Sequence, residues 1–103
     1  MNIKGKNNDF ELIICNNFKA RLLGNMFKQR IENVLCFPRC NSIHTFFMKT
    51  PIDIVMLNKE KKVIYIANNL KPYKIVLPKK SVHYTLEFPI GENIYNLNDY
   101  LEI

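Results

Sequence analysis

The amino-acid sequence predicts a mainly β fold, α+β at most: a small antiparallel β sandwich or barrel-like domain with one short helix near residues 18–29. Three observations predict it. From Val34 onward, six short runs rich in Ile, Val, Phe and Tyr follow one another with the two-residue period of strands. One stretch before them has helical spacing instead. All five prolines, Pro38, Pro51, Pro72, Pro78 and Pro89, fall between runs, where a missing N–H harms no hydrogen-bonded ladder.

Taken in order, residues 1–9 form a polar, Asn- and Lys-rich lead-in expected to bury hardly anything and to be flexible. Residues 10–103 are expected to form a single domain. Phe10 to Cys15 reads as a first strand. Phe18 to Gln29 places Phe18, Leu22, Met26 and Phe27 on one side of a helix and Lys19, Arg21, Lys28 and Arg30 on the other, with Gly24 inside at a cost of about 1 kcal/mol relative to Ala. The six later strands are Val34–Phe37, Ile43–Met48, Asp53–Leu57, Lys62–Ala67, Lys74–Leu77 and Tyr84–Phe88, and Asn58 to Lys61 reads as a hairpin loop.

Composition narrows the function classes. The chain has 103 residues, 48% of them hydrophobic, which suits one compact domain, and no window approaches the roughly 18 consecutive apolar residues of a membrane span. The polar start has no apolar segment behind its two lysines, so a cytoplasmic protein that engages no membrane is expected. Three cysteines are an odd number, which argues for reduced thiols over a disulfide framework. The net charge of +6 invites a nucleic-acid reading. Against it, 12 of the 15 basic residues are lysines, the amino acids Asn and Ile are as abundant as AT-rich coding would make them, and base or phosphate recognition favours Arg. Seven lysines lie between Lys59 and Lys80 beside one acid, Glu60; solvated strand edges carrying lysine to block edge pairing explain them at least as well as an anion patch.

The segment Cys36 to Asp53 holds two of the three cysteines and one of the two histidines, so any chemistry is expected there. Its stretch SIHTFFMKTPIDIVMLN, Ser42 to Asn58, with ARLLGNMF upstream and NLKPYKIVLP and LEFPIG downstream, resembles the DUF192 family, also called UPF0127, over about Phe18 to Gly91. The resemblance implies a small β sandwich accompanied by a short helix and implies no reaction. The matching positions are Arg21, Gly24 and Met26, Cys40, Ser42, His44, Thr45, Phe46, Phe47, Met48 and Lys49, then Pro51, Asp53, Pro72, Glu87 and Gly91. Tyr73 stands where relatives often have Trp, Asn25 where they usually have an apolar residue, and the signal peptide of many relatives has no counterpart in this sequence.

A tight turn at Lys49 to Ile52 would pair Met48 with Asp53, Phe46 with Val55 and His44 with Leu57, which separates His44 from Asp53 by roughly 13 Å. Cys40 and His44 would meet only through a bend at Asn41 and Ser42, so a Cys–His nucleophile is the alternative function, not the leading one. A metal set drawn from Cys36, Cys40, His44 and Met48 has C-x₃-C-x₃-H spacing, which aligns only on a helix, and neither a metal nor a cofactor is expected. Because both faces of Ile43 to Met48 are apolar apart from His44 and Thr45, that strand is expected to be central, with His44 buried and hydrogen-bonded. The leading expectation is a non-catalytic protein that binds a small anionic ligand or a protein partner through Ser42, His44, Lys49, Asp53 and Cys40. A nucleic-acid accessory role acting through the lysines of residues 59–80 is the third possibility.

Overall fold

The computed structural model describes residues 1–17 and 30–103, and the helix expected over residues 18–29 lies outside the described residues. Among the described residues eight strands are formed: β1 (Asn2–Lys4), β2 (Asp9–Ile14), β3 (Val34–Pro38), β4 (Ile43–His44), β5 (Ile52–Leu57), β6 (Val63–Leu70), β7 (Ile75–Val76) and β8 (Tyr84–Pro89). Six of them make one sheet in the order β1-β2-β3-β8-β5-β6, and β4 and β7 make a separate two-stranded ladder. Every pairing is antiparallel except β2 with β3, where Leu12 opposes Val34 and Ile14 opposes Cys36. The fold is mainly β, as the period-two runs predict.

β5 is buried along its whole length, and its alternating side chains serve two separate apolar clusters. Val55 and Leu57 join Ile3, Leu12, Val34, Leu86, Phe88 and Leu101 on one face. Ile52, Ile54 and Met56 join Met48 and Val76 on the other, so the β4/β7 ladder is the second layer over that face. At about 25 cal/mol per Å² of apolar surface removed from water, such doubly covered strands carry most of the stabilisation of the domain. The β5–β6 connection is the expected hairpin: Asn58 Oδ1 accepts from the amides of Glu60 and Lys62, each at 3.0 Å, and Lys61 takes the left-handed φ of 66° that closes the turn.

Three expectations are corrected. The lead-in buries one side chain: Ile3 is 4% exposed, in a strand paired with β2. The loop after β1 is tied down by Glu92, whose Oε1 accepts from Asn7 N at 2.7 Å; that bond holds the Glu92 carboxyl below its usual range. Second, the strand expected over Ile43 to Met48 stops at His44, because the chain turns there: Met48 N donates to Thr45 O at 3.1 Å and Phe47 has φ 63°. Third, β4 pairs with β7 and not with β5, so His44 opposes Ile75 and not Leu57.

β6 lies at one edge of the large sheet, and the segment after Glu92 runs antiparallel along it. Asn93 Nδ2 donates to Asn68 Oδ1 at 3.0 Å, Asn98 N donates to Val63 O at 2.9 Å, and Val63 N donates to Asp99 O at 2.8 Å. Leu101 then enters the core at 5% exposure.

Candidate functional site

Thr45 is the residue from which the motif segment is built. It is fully buried, and its main chain and side chain together hold the loop after β4 against the loop before β7. Its N–H donates to Lys74 O at 2.9 Å, its carbonyl accepts from Tyr73 N at 3.0 Å, its hydroxyl donates to Lys71 O at 2.7 Å, and that hydroxyl accepts from Lys74 N at 2.8 Å. Thr suits this position because its branched Cβ fills the buried space while one oxygen both donates and accepts.

Around this staple, on the outside, lie rings. His44 and Phe46 have centroids 5.1 Å apart, Phe46 and Tyr73 6.2 Å, and Phe47 and Tyr73 6.1 Å. Phe46, Phe47 and Tyr73 are 37%, 51% and 64% exposed, and His44 is exposed too. Phe47 and Tyr73 both have left-handed backbones, φ 63° and 62°. That region costs a bulky residue roughly 1–2 kcal/mol, so the surrounding hydrogen bonds hold these two aromatics where the backbone would not place them. The platform continues along β7: Ile75 opposes His44 across the ladder, while Val76 points inward opposite Ile43, leaving Ile75 and Leu77 outside. Lys49, Lys71 and Lys74, all exposed, lie within two residues of Phe47 or Tyr73 in sequence.

The sequence-predicted site residues divide into three groups. His44 and Lys49 lie on or beside the platform. The burial expected of His44 is corrected: it is exposed, and its Nδ1 accepts from Phe46 N at 3.2 Å, a local bond within one loop. His44→Ala should therefore change unfolding free energy in urea by no more than about 0.5 kcal/mol, the ordinary range for a surface substitution.

Cys40 and Ser42 lie earlier in the chain, where the Cys40 thiol donates to Ser42 O at 3.0 Å and Thr85 Oγ1 ties Cys40 O to β8 at 3.0 Å. Cys36 and Cys15 are buried nearby. Burial above all, with the neighbouring Cys15, pushes the Cys36 thiol up to about 11. Iodoacetamide at neutral pH should accordingly label Cys40 well before Cys36, which should react only on unfolding; peptide mapping by mass spectrometry reads the order.

Asp53 stands apart, 2% exposed in β5. Opposite it the β5–β6 register slips, and Asn69, with φ 55°, turns its amide out of the ladder. Asp53 Oδ1 accepts from that amide at 2.9 Å and Oδ2 from Asn93 N at 3.1 Å. Both oxygens are thus used in joining β6 and the segment after Glu92 to the sheet.

The residues that sequence reasoning missed are Phe46, Phe47, Tyr73, Ile75 and Leu77 as a surface. The available signal was the apolar motif itself, which resembles a buried strand. Among the described residues no three His, Cys, Asp or Glu side chains converge as a metal-ligand set, and no helix is long and apolar enough to cross a membrane. A cleft of about 390 Å³ between Asp9, Phe10, Arg30, Ile31, Glu32 and Glu92 gathers none of the motif residues. There Arg30 faces Glu32 at 4.0 Å and Glu92 is taken up by Asn7 and Asn8, so the platform is the stronger candidate.

A protein of unknown function from Novosphingobium aromaticivorans has a similar fold, with a TM-score of 0.71 at 20% identity over 88% of this chain and 74% of that one. In sequence, a UPF0127 protein of Pyrococcus furiosus is 38% identical over 93 residues, 85% of this chain and 79% of the relative. Another from Pyrococcus horikoshii is 40% identical over 86 residues, 79% of this chain and 74% of the relative. Residues 1–94 match the family DUF192, described as uncharacterized ACR. With the match covering nearly the whole chain and the relatives agreeing, this protein belongs to the DUF192 family, whose relatives carry the UPF0127 name.

Proposed function

We propose that this chain is a non-catalytic binding domain and that its working surface is the platform of His44, Phe46, Phe47 and Tyr73. The observation that carries the reading is Tyr73: a bulky ring 64% exposed to water on a left-handed backbone, held there by a buried threonine. A fold gains little from such a residue, whereas a surface that presents rings in a fixed arrangement does gain, because a rigid platform loses less entropy on binding. Lys49 belongs to the rim, where it would meet negative charge on a small ligand or a protein partner.

Tyr73→Gly tests this without any ligand. Glycine occupies φ near 60° freely, so the variant should be as stable as the parent or more stable by up to about 1 kcal/mol in urea unfolding. A loss of more than about 1 kcal/mol would mean that the ring serves the fold, and the reading would fall. Native mass spectrometry, compared with the denatured mass, reports whether a small molecule is retained, and with it whether the occupant is a metabolite.

The Cys40–His44 enzyme has less in its favour. The Cys40 thiol is directed at Ser42 O and His44 Nδ1 at Phe46 N, so each group is bonded to nearby backbone and not to the other.

A further inference from the structure

We infer that the occupant of this platform is a protein segment in which acidic residues flank aromatic or aliphatic anchors; the inference rests on the binding reading above and names the partner class for the same surface. Its first basis is charge. The two stretches of chain that carry the platform, residues 42–49 and 71–77, contain no Asp or Glu and hold three lysines, Lys49, Lys71 and Lys74. The acids of the C-terminal stretch lie outside these stretches: Glu87 and Glu92 are buried, and Asp99 runs beside β6. Among the described residues no carboxylate is paired with any of these three lysines, so an acidic partner is attracted to this face and a basic partner meets like charges.

The second basis is shape. Ile75 and Leu77 continue the rings of His44, Phe46 and Tyr73 into one apolar strip along the outside of β7, 58% and 69% exposed. Single-stranded nucleic acid wants ring faces and phosphate-binding cations, and it has no use for two aliphatic side chains beside them. A peptide does, since alternate side chains of an extended segment fall at the spacing of a strip that follows a strand. Lys71 and Lys74 lie on either side of Tyr73 in sequence, placing positive charge next to the central ring and not at a distance from it.

The experiment is a selection of random twelve-residue peptides displayed on phage against the full chain, with the enriched peptides re-measured by fluorescence polarisation. Expected are sequences carrying Asp or Glu around Phe, Leu or Ile, weakened about tenfold or more by Tyr73→Ser or Phe46→Ser, and weakened several-fold by Lys71→Glu with Lys74→Glu or by raised salt. Circular dichroism on each variant confirms that the domain is folded. Enriched peptides that are neutral or basic, yet still depend on Tyr73 and Phe46, would overturn the partner class and leave the platform as the binding surface. Peptides indifferent to both ring variants would overturn the platform reading itself. Failure to enrich any peptide, or binding of a labelled oligo(U) twelve-mer that is lost in Tyr73→Ser, would also overturn the acidic-peptide inference, the latter in favour of RNA.

Discussion

Asp53→Ala should lower the unfolding free energy by roughly 3–5 kcal/mol, since it strips the acceptors from two inward-facing backbone amides and leaves a cavity besides. Bonds from amides to a carboxylate are charge-assisted and worth about 1.5–3 kcal/mol each, and an orphaned amide retains its full desolvation cost. Asn69 N has no alternative acceptor in the ladder, because the register slip that frees it is the same one that presents it to Asp53. Asp53→Asn should recover part of the loss: its single carbonyl oxygen can accept from Asn69 or from Asn93, while its NH2 group faces the other donor. Urea unfolding measures both, and a midpoint shift at constant slope identifies a stability effect. A loss below about 1 kcal/mol for the alanine variant would mean that water replaces the carboxylate, and that Asp53 is open enough to meet a ligand after all.

Thr45→Val should cost roughly 2–4 kcal/mol with no change in volume, which isolates the hydroxyl from the packing. Valine keeps the branched shape and leaves Lys74 N without an acceptor and Lys71 O without its donor. The effect should extend beyond stability. With the two loops no longer joined through the side chain, Phe46, Phe47 and Tyr73 lose their common support, and amide resonances of residues 44–48, 71 and 73–75 should broaden together in NMR spectra. Thr45→Ser restores the oxygen without the methyl and should return most of both properties. If Thr45→Val broadens only its own neighbours in sequence, the staple is the backbone pairing and not the hydroxyl.

Much of the scaffold was legible because its cause is local. The runs at Val34, Asp53 and Tyr84 became β3, β5 and β8 within a residue at each end, since period-two apolarity bounded by proline leaves little else for such segments to do. Ile3 was not legible. A single apolar residue among Asn and Lys has no period, and only the sheet edge beside it makes burial favourable. The motif strand was misread for a more instructive reason: IHTFFM is apolar on both faces, and that pattern signals a covered central strand. In the structure its polar member, Thr45, is buried and fully bonded, while the two phenylalanines after it are outside. Sequence alone cannot distinguish a strip that is apolar because the core covers it from one that is apolar because it is presented outward. The difference lies in strand pairing, and the pairing of β4 with β7, 31 residues on, is set by tertiary contacts that no local turn announces.

The segment along β6 bears on how this protein would aggregate. A sheet enlarges through whichever edge offers free N–H and C=O groups, and an eight-residue outer strand is a template for such growth. Here Asn98, Asp99 and Leu101 already occupy the groups of Lys61 and Val63, with Leu101 anchored in the core, so the strand is capped at its start. Peeling residues 98–101 away frees the first rungs of this edge, a local opening far smaller than global unfolding. Shelf life in concentrated solution should then follow the exchange protection of the Val63 amide more closely than the melting temperature.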